Sequence, residues 1–412
     1  MSRPTSPTST TALDVLVIGA GMGGLSAALA FQRQGHRVTV IERVEAIRPV
    51  GAAISLWPNG VKVMHRLGLG ETIEHLSGNM TRMRYLTHTG EPLTDFSLAP
   101  LFDEVGQRAC PIARAALQQT LFDAVGAEHI QLGRRCLDYA QDDEGVTAHF
   151  EDGGQQRADL LVIADGTHSR LRSKLVGHPV ERQYVGYVNW NVRVSADEAL
   201  APLHNWDQYV GDAKRVSLMP MGTGGNTAGT QEYYCFFDVP LPAGTPNDPQ
   251  HYRDELREHF AGWAAPVQAL IERFDPERMA RVEIHDIPPL DSLTAPRVAL
   301  LGDAAHGMAP DLGQGGCQAM EDAWVLARAV QDALEVDDGA APAAAIATAL
   351  EHYDAARVDR VGDIVSRARK RAATIHGRDP VQTHAWYDEL AHEDGSEILA
   401  GLRKTIVGGP LG

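Results

Sequence analysis

The sequence predicts an α/β protein: a parallel sheet assembled from discontinuous segments, an inserted and mainly antiparallel β domain, and C-terminal helices. Three observations predict it. The strands "DVLVIGA" and "RVTVIE" flank the helical "GGLSAALAFQRQ", stopped by Gly35, as a β-α-β unit with short connections. Apolar strands of the same kind return far downstream in "ADLLVIADG" (158–166) and "RVALLGDAAH" (297–306), continuous in the way of strands buried on both faces. Between about 183 and 283 the texture changes, and "YVGYVNWNVRV", "RVSLMPM" and "EYYCFFDVPL" alternate, carry aromatics and are separated by loops. From Glu321 the chain turns Ala-rich and helical through "EDAWVLARAVQDAL" and the long segment up to about Ile375. The expected organisation is a disordered Ser/Thr/Pro-rich tail at 1–12, a discontinuous first domain at 13–182 plus 284–335, an antiparallel domain at 183–283, and a helical region at 336–412.

Composition sets the class. The 412 residues suffice for two or three domains, and 44% hydrophobic with 22% charged residues is ordinary for a soluble globular chain. A net charge of −17 argues against a nucleic-acid or anionic-membrane partner. The one basic cluster, Arg367, Arg369, Lys370 and Arg371 in "SRARKRAA", reads as the solvated end of a helix. Four dispersed cysteines form no C-x-x-C pair, so reduced thiols are expected rather than a disulfide framework or a zinc site. The opening "MSRPTSPTSTTA" lacks the apolar core of a signal peptide, and no apolar run approaches the roughly 18–20 residues of a membrane helix. The expected location is the cytoplasm.

Gly19-Ala20-Gly21-Met22-Gly23-Gly24 fits G-x-G-x-x-G at a strand-to-helix turn, in a Rossmann-like unit. Gly19 permits the tight turn, Gly21 lets a pyrophosphate approach the backbone, and Gly24 lets helix and strand pack closely. The helix N-terminus adds free N–H groups and the positive end of its dipole. Glu42 closes the second strand at about the distance expected of an acid that accepts ribose hydroxyls. Together these point to a dinucleotide, NAD or FAD.

A NAD dehydrogenase would next need a catalytic His, a Tyr-Lys pair or a zinc site, and none is legible. Instead "ADGTHSRLR" places Asp165-Gly166 at one strand end, and "LLGDAAHGMAPDLGQGGCQAMEDA" places Gly302-Asp303 at another. With these motifs in this order, the chain resembles the single-component FAD-dependent aromatic hydroxylases, the para-hydroxybenzoate-hydroxylase-like monooxygenases, from about Leu13 to the end. The resemblance implies a tightly bound, non-covalent FAD. Asp303 would accept from its ribityl chain, and the loop Leu312, Gly313, Gln314, Gly315, Gly316 and Cys317 would open a helix toward the flavin ring. It further implies cofactor contacts for Gly23, Arg43, Ser55, Arg114, Cys136 and Asp165, the last shared with a visiting nicotinamide. The blander readings make Arg114 a surface helix residue and Asp165 a turn former. His306 lacks partners at metal spacing and reads as structural or flavin-adjacent, so no metal is expected. With no second G-x-G-x-x-G, reducing equivalents must come from NADH or NADPH as a transient co-substrate.

Several strings, "VGAAISLWPNG", "GYVNWN", "KRVSLMP", "FFDVPLPAG" and "EIHDI", are similar to the FAD-dependent urate hydroxylases. That branch implies hydroxylation of urate at C5 to 5-hydroxyisourate with O2, through a flavin C4a-hydroperoxide, in purine catabolism. The residues are compatible with a planar, nitrogen-rich anion. Arg215 on a presumed pocket strand offers bidentate recognition, Asn189 both donor and acceptor, and Tyr234 an orienting hydroxyl. Asp311, beside the flavin loop, is a candidate base for a ring proton. The blander readings make Arg215 a surface partner of Asp207 or Asp212, Asn189 and Tyr234 strand packing, and Asp311 an N-cap of a helix opening at Leu312. The departures are an inserted "TGGNTAG" (223–229), read as a hairpin tip, and the N-terminal tail. Two rival functions remain open. One is a salicylate- or hydroxybenzoate-type phenol hydroxylase, and the other a flavoprotein electron-transfer or binding module. The C-terminal helices offer a face for a homodimer.

Overall fold

The computed structural model describes residues 12–47, 53–223, 229–336 and 342–412. Residues 1–11 of the expected tail and most of the 223–229 insertion lie outside the described residues. The nucleotide sheet has six strands in the order Thr294–Ala295, Val298–Leu300, Leu160–Ile163, Asp14–Ile18, Arg37–Ile41 and Ile130–Gln131. All neighbours are parallel except the first pair. Val15, Leu16, Val17, Leu160, Leu161 and Val162 are all buried, which is why these strands read as unbroken apolar runs. The helix Met22–Arg33 covers one face and packs against the helix Gly315–Val336.

The second sheet has seven strands: Ala280–Asp286, Gln183–Ser195, Glu232–Val239, Lys214–Met221, Asn205–Gly211, Arg82–Thr87 and Pro92–Ser97. Its pairing is antiparallel save for Asn205–Gly211 against Arg82–Thr87. Two of its strands therefore come from well before residue 183. Their six-residue sequences, RMRYLT and PLTDFS, gave no strand signal, because half or fewer of the residues in each are buried and a partner strand is supplied far along the chain. One face of this sheet buries Trp190, Val192, Phe237 and Leu218 against the helices Tyr252–His259 and Ala265–Arg273. The other face looks toward the nucleotide sheet.

The helix Pro342–Ile375 spans the molecule and lies along Gly315–Val336. Its basic end is not solvated as the sequence implied. Arg369 makes a bidentate pair with Asp286 at 2.6 and 2.8 Å, Arg371 donates to the Tyr85 hydroxyl and stacks on Trp386, and Arg367 donates to Thr405. Only Lys370 of the four is exposed. Partners on other elements capture these cations, which no local reading of the helix reveals. No helix among the described residues is long and apolar enough to cross a membrane.

Candidate active site

The β-α-β unit builds a cradle of bare backbone. Gly19 takes φ +109°, and a Cβ there would lie 2.3 Å from the Ala164 carbonyl oxygen. A Cβ on Gly24 would lie 2.0 Å from the Gly19 oxygen, so the helix rests on the turn at backbone distance. Gly21, the N-cap of Met22–Arg33, faces open space, with nothing within 4 Å of where a Cβ would stand. The free N–H groups of that helix end share this space, an arrangement suited to an anion. Glu42 is tied to the loop, its carboxylate accepting from the Ala20 N–H at 2.8 Å and the Val44 N–H at 3.1 Å. Asp165 has one oxygen enclosed without a partner among the described residues, and burial pushes its carboxyl up. Arg43 and Cys136 stand near it, and burial raises the Cys136 thiol to about 11.

A cavity of about 610 Å³ extends from Gly21 and Gly23 past Gly166, Gly302 and Asp303 to Gly313, Gln314, Gly315 and Gly316, with Ser55 and Arg114 on its wall. Backbone cradles that a Cβ would fill, the orphaned Asp165 oxygen and the length of this cleft fit a dinucleotide such as FAD. Asp165, Glu42, Arg43 and Cys136 all lie outside the cavity lining, although Ala164 and Gly166 on either side of Asp165 belong to it. The far helix opens at Gly315, not at Leu312, because Pro310–Leu312 forms a 3-10 turn and Gly313 is left-handed at φ +62°. Cys317 contributes no side chain to the cavity. Its sulfur packs 2.9 Å from where a Gly60 Cβ would stand, and burial pushes the thiol up to about 12.

Behind this loop lies a buried polar web. Asn59 donates to Gln314 at 3.0 Å and to Glu321 at 2.6 Å, while Arg357 binds Glu321 and Asp322, each at 2.7 Å. Asp322 accepts from the Gly302 N–H at 2.9 Å and faces His306 Nε2 at 2.7 Å. His306 is therefore a structural partner of the Gly302-Asp303 turn. Among the described residues no group of His, Cys, Asp and Glu is placed to hold a metal ion.

The floor of the cavity comes from the seven-stranded sheet. Arg215 is buried, donating to Asp238 at 2.8 Å and to Asp311 at 3.0 Å. The surface reading of Arg215 fails, since Asp207 is paired with Arg84 and Asp212 sits in a left-handed turn. Asn189 donates to Asp238 at 2.6 Å and accepts from Asn191 at 2.9 Å. Asp311 accepts from the Tyr187 hydroxyl at 2.7 Å and faces His376 Nε2 at 3.3 Å, with the His376 ring stacked 3.8 Å from that of Tyr187. Asp311 thus caps no helix.

Burial opposes the charge on both partners and loses. Asp238 and Asp311 hold Arg215 protonated, while His376, Arg215 and Tyr187 hold Asp311 at about 2. A carboxylate so engaged is a weak base. Tyr234 lines the same cavity, and burial pushes its hydroxyl up, so it stands as a neutral donor.

Four residues of this constellation escaped the sequence reading. Tyr187 and Asn191 share the alternation of Asn189, and Asp238 that of Tyr234, so period-two spacing alone could have found them. His376 follows a 34-residue helix and has no linear signal.

These pairings have a measurable acid lability. Asp311 and Asp322 are both held at about 2 against an ordinary 3.8. Their stabilisation, about 2 kcal/mol each by linkage, is fully present above pH 4 and lost as pH falls toward 2. Melting temperature measured from pH 6 to 2.5 should drop below pH 4. An Asp322→Asn variant should start lower and drop less, and equal acid losses in variant and parent would contradict this.

A family model described as an FAD binding domain matches residues 12–368. A FAD-dependent urate hydroxylase of Klebsiella pneumoniae subsp. pneumoniae is 49% identical over 401 residues, 97% of this chain and 100% of the relative. That of Mycolicibacterium vanbaalenii is 46% identical over 402 residues, covering 97% of this chain and 98% of the relative. The crystal structure of Klebsiella pneumoniae HpxO complexed with FAD and uric acid superposes with a TM-score of 0.90 at 48% identity, over 97% of this chain and 98% of that one. A salicylate hydroxylase substrate complex gives 0.73 at 25% identity, over 98% and 100%. The chain belongs to the FAD binding domain family, among the FAD-dependent aromatic hydroxylases and on the branch of the FAD-dependent urate hydroxylases.

Proposed function

We propose that the chain hydroxylates urate at C5, consuming NAD(P)H, a proton and O2 and yielding 5-hydroxyisourate, NAD(P)+ and water. The observation that carries this reading is the buried, permanently charged Arg215 on the floor of a cavity whose opposite wall is a dinucleotide cradle. A guanidinium there favours a planar anion, and its rigid attachment to Asp238 and Asp311 fixes where that anion sits.

Gly21, Gly23, Asp303 and the Gly313 to Gly316 loop, with Asp165 beside them, would hold FAD, which when bound supplies the redox chemistry between the nicotinamide, O2 and the substrate. The remaining roles belong to side chains on the floor. Tyr234 donates to an oxygen or ring nitrogen of urate, and Asn189, aligned by Asp238 and Asn191, orients an edge of the ring. Asp311, with three donors around it, works as the fixed counter-charge of Arg215 rather than as the acceptor of a ring proton. The buried apolar walls from Met219, Phe236 and Ile284 keep water from the reacting carbon.

The test follows NADH, urate and peroxide together in one reaction of the purified holoprotein. One urate lost per NADH oxidised, with little peroxide, is the expected result. Rapid NADH loss with peroxide and intact urate would overturn the reading and favour a phenolic acid as substrate.

A further inference from the structure

Gln208 is a polar group on the cavity floor to which the reading above gives no part. It lies in the strand Asn205–Gly211, where Trp206 and Gln208 face the cavity while Tyr209 joins the core on the opposite side of the sheet. The side chain is 1% exposed, and its Nε2 is enclosed without a hydrogen-bond partner among the described residues. Its cross-strand neighbours do not satisfy it. Ser217, directly opposite, is taken by the Trp206 indole N–H at 2.6 Å, and Tyr85, on the other side, receives Arg371. A buried amide donor left unpaired carries the desolvation penalty of the group with nothing to offset it, and such a group calls for a ligand that completes it.

The chemistry of that ligand follows from the amide. A primary amide presents a donor and an acceptor side by side, the complement of a lactam edge, where C=O adjoins N–H. Two parallel hydrogen bonds then close, and both halves of the amide are satisfied. The carboxylate edge of a hydroxybenzoate offers acceptors only, and would leave the amide oxygen facing another oxygen, while its phenol hydroxyl is a single group that cannot pair with both halves of the amide in parallel. Arg215 pairs with Val210 and Gln208 with Ser217, so the two side chains stand diagonally on one sheet face. Diagonal neighbours are separated by roughly 7–8 Å, a span a fused bicyclic ring can bridge.

We propose that Gln208 is a specificity-determining residue that selects a substrate with a lactam edge, a purine-type heterocycle, over a phenolic acid, while Arg215 takes the anionic part of the same ring. This rests on the urate reading, so the experiment separates the two. The oxidised holoprotein, at full FAD occupancy, is titrated with urate, xanthine and salicylate, and binding is read from the flavin visible spectrum. In Gln208→Leu the dissociation constant for urate should rise about 10- to 100-fold, while that for salicylate should stay level or fall. Gln208→Glu, which keeps shape and acceptor but loses the donor and adds charge, should reject urate at least as strongly and serves if the leucine variant does not fold. Urate binding within about threefold of the parent, or equal losses for urate and salicylate, would overturn the proposal while leaving the urate reading intact. A parent protein that binds salicylate and ignores both purines would overturn the two together.

Discussion

Replacing Arg215 by glutamine should lower kcat/KM for urate by about two powers of ten, from loss of charge-assisted hydrogen bonds worth roughly 1.5–3 kcal/mol. The same change should also destabilise the fold. Asp238 and Asp311 each show no side-chain exposure, and Arg215 is the cation both of them bind. Removing one partner of a buried ion pair typically costs about 3–5 kcal/mol, because the charge left behind has neither water nor a counter-ion. The cofactor should stay in place, since Arg215 stands on the sheet across the cavity from the glycine cradle. Stability and catalysis are separable in the double variant Arg215→Gln with Asp238→Asn, which removes one orphaned charge. Its melting temperature should recover in part and its turnover should not. Urate turnover within threefold of the parent in Arg215→Gln would show that the guanidinium is a structural clamp alone.

The second large effect divides two neighbouring glycines. Gly24→Ala sets a methyl group 2.0 Å from the Gly19 oxygen, which neither backbone can evade. The strand-helix unit should not form, and the protein should be insoluble or unfolded, an overpacking loss well above the usual 1–3 kcal/mol. Gly21→Ala meets nothing within 4 Å. That variant should fold, with far-ultraviolet circular dichroism and apo melting temperature close to the parent's. It should nevertheless lose its FAD, because the methyl stands where a pyrophosphate must touch the helix N-terminus. The flavin-to-protein absorbance ratio after gel filtration reads the difference. A Gly21→Ala protein as yellow as its parent would place the cofactor elsewhere.

The nucleotide half was legible because its signals are local. The apolar run of Asp14–Ile18, the glycines of the turn and the acid at Glu42 all fall within one β-α-β unit, and burial on both faces leaves little ambiguity. The substrate floor was legible only along single strands. Asn189, Arg215 and Tyr234 could be picked out, but not that Asp238 lies between Asn189 and Arg215 in the pairing register. Nor could the sequence show that Asp311 would be spent on three donors, two of them from Tyr187 and His376. Those contacts join segments far apart in the chain. The misreading of Arg369 and Arg371 has the same origin, since Asp286 and Trp386 are brought to them by folding.

The parallel pairing of Asn205–Gly211 with Arg82–Thr87 bears on how such proteins diverge and can be recombined. The specificity surface is a composite: Gln208, Arg215 and Tyr234 come from one stretch of the chain, and Tyr85 reaches the same cavity from another. A segment exchange confined to 183–283 would carry four whole strands and part of Ala280–Asp286 into a recipient whose own two strands finish the sheet. It would also strip the excised piece of its neighbour at Asn205–Gly211, exposing a backbone edge prone to pair with other chains. The unit of inheritance for substrate choice is therefore the whole sheet, early hairpin included, and grafts that respect it must take 82–97 together with the later strands.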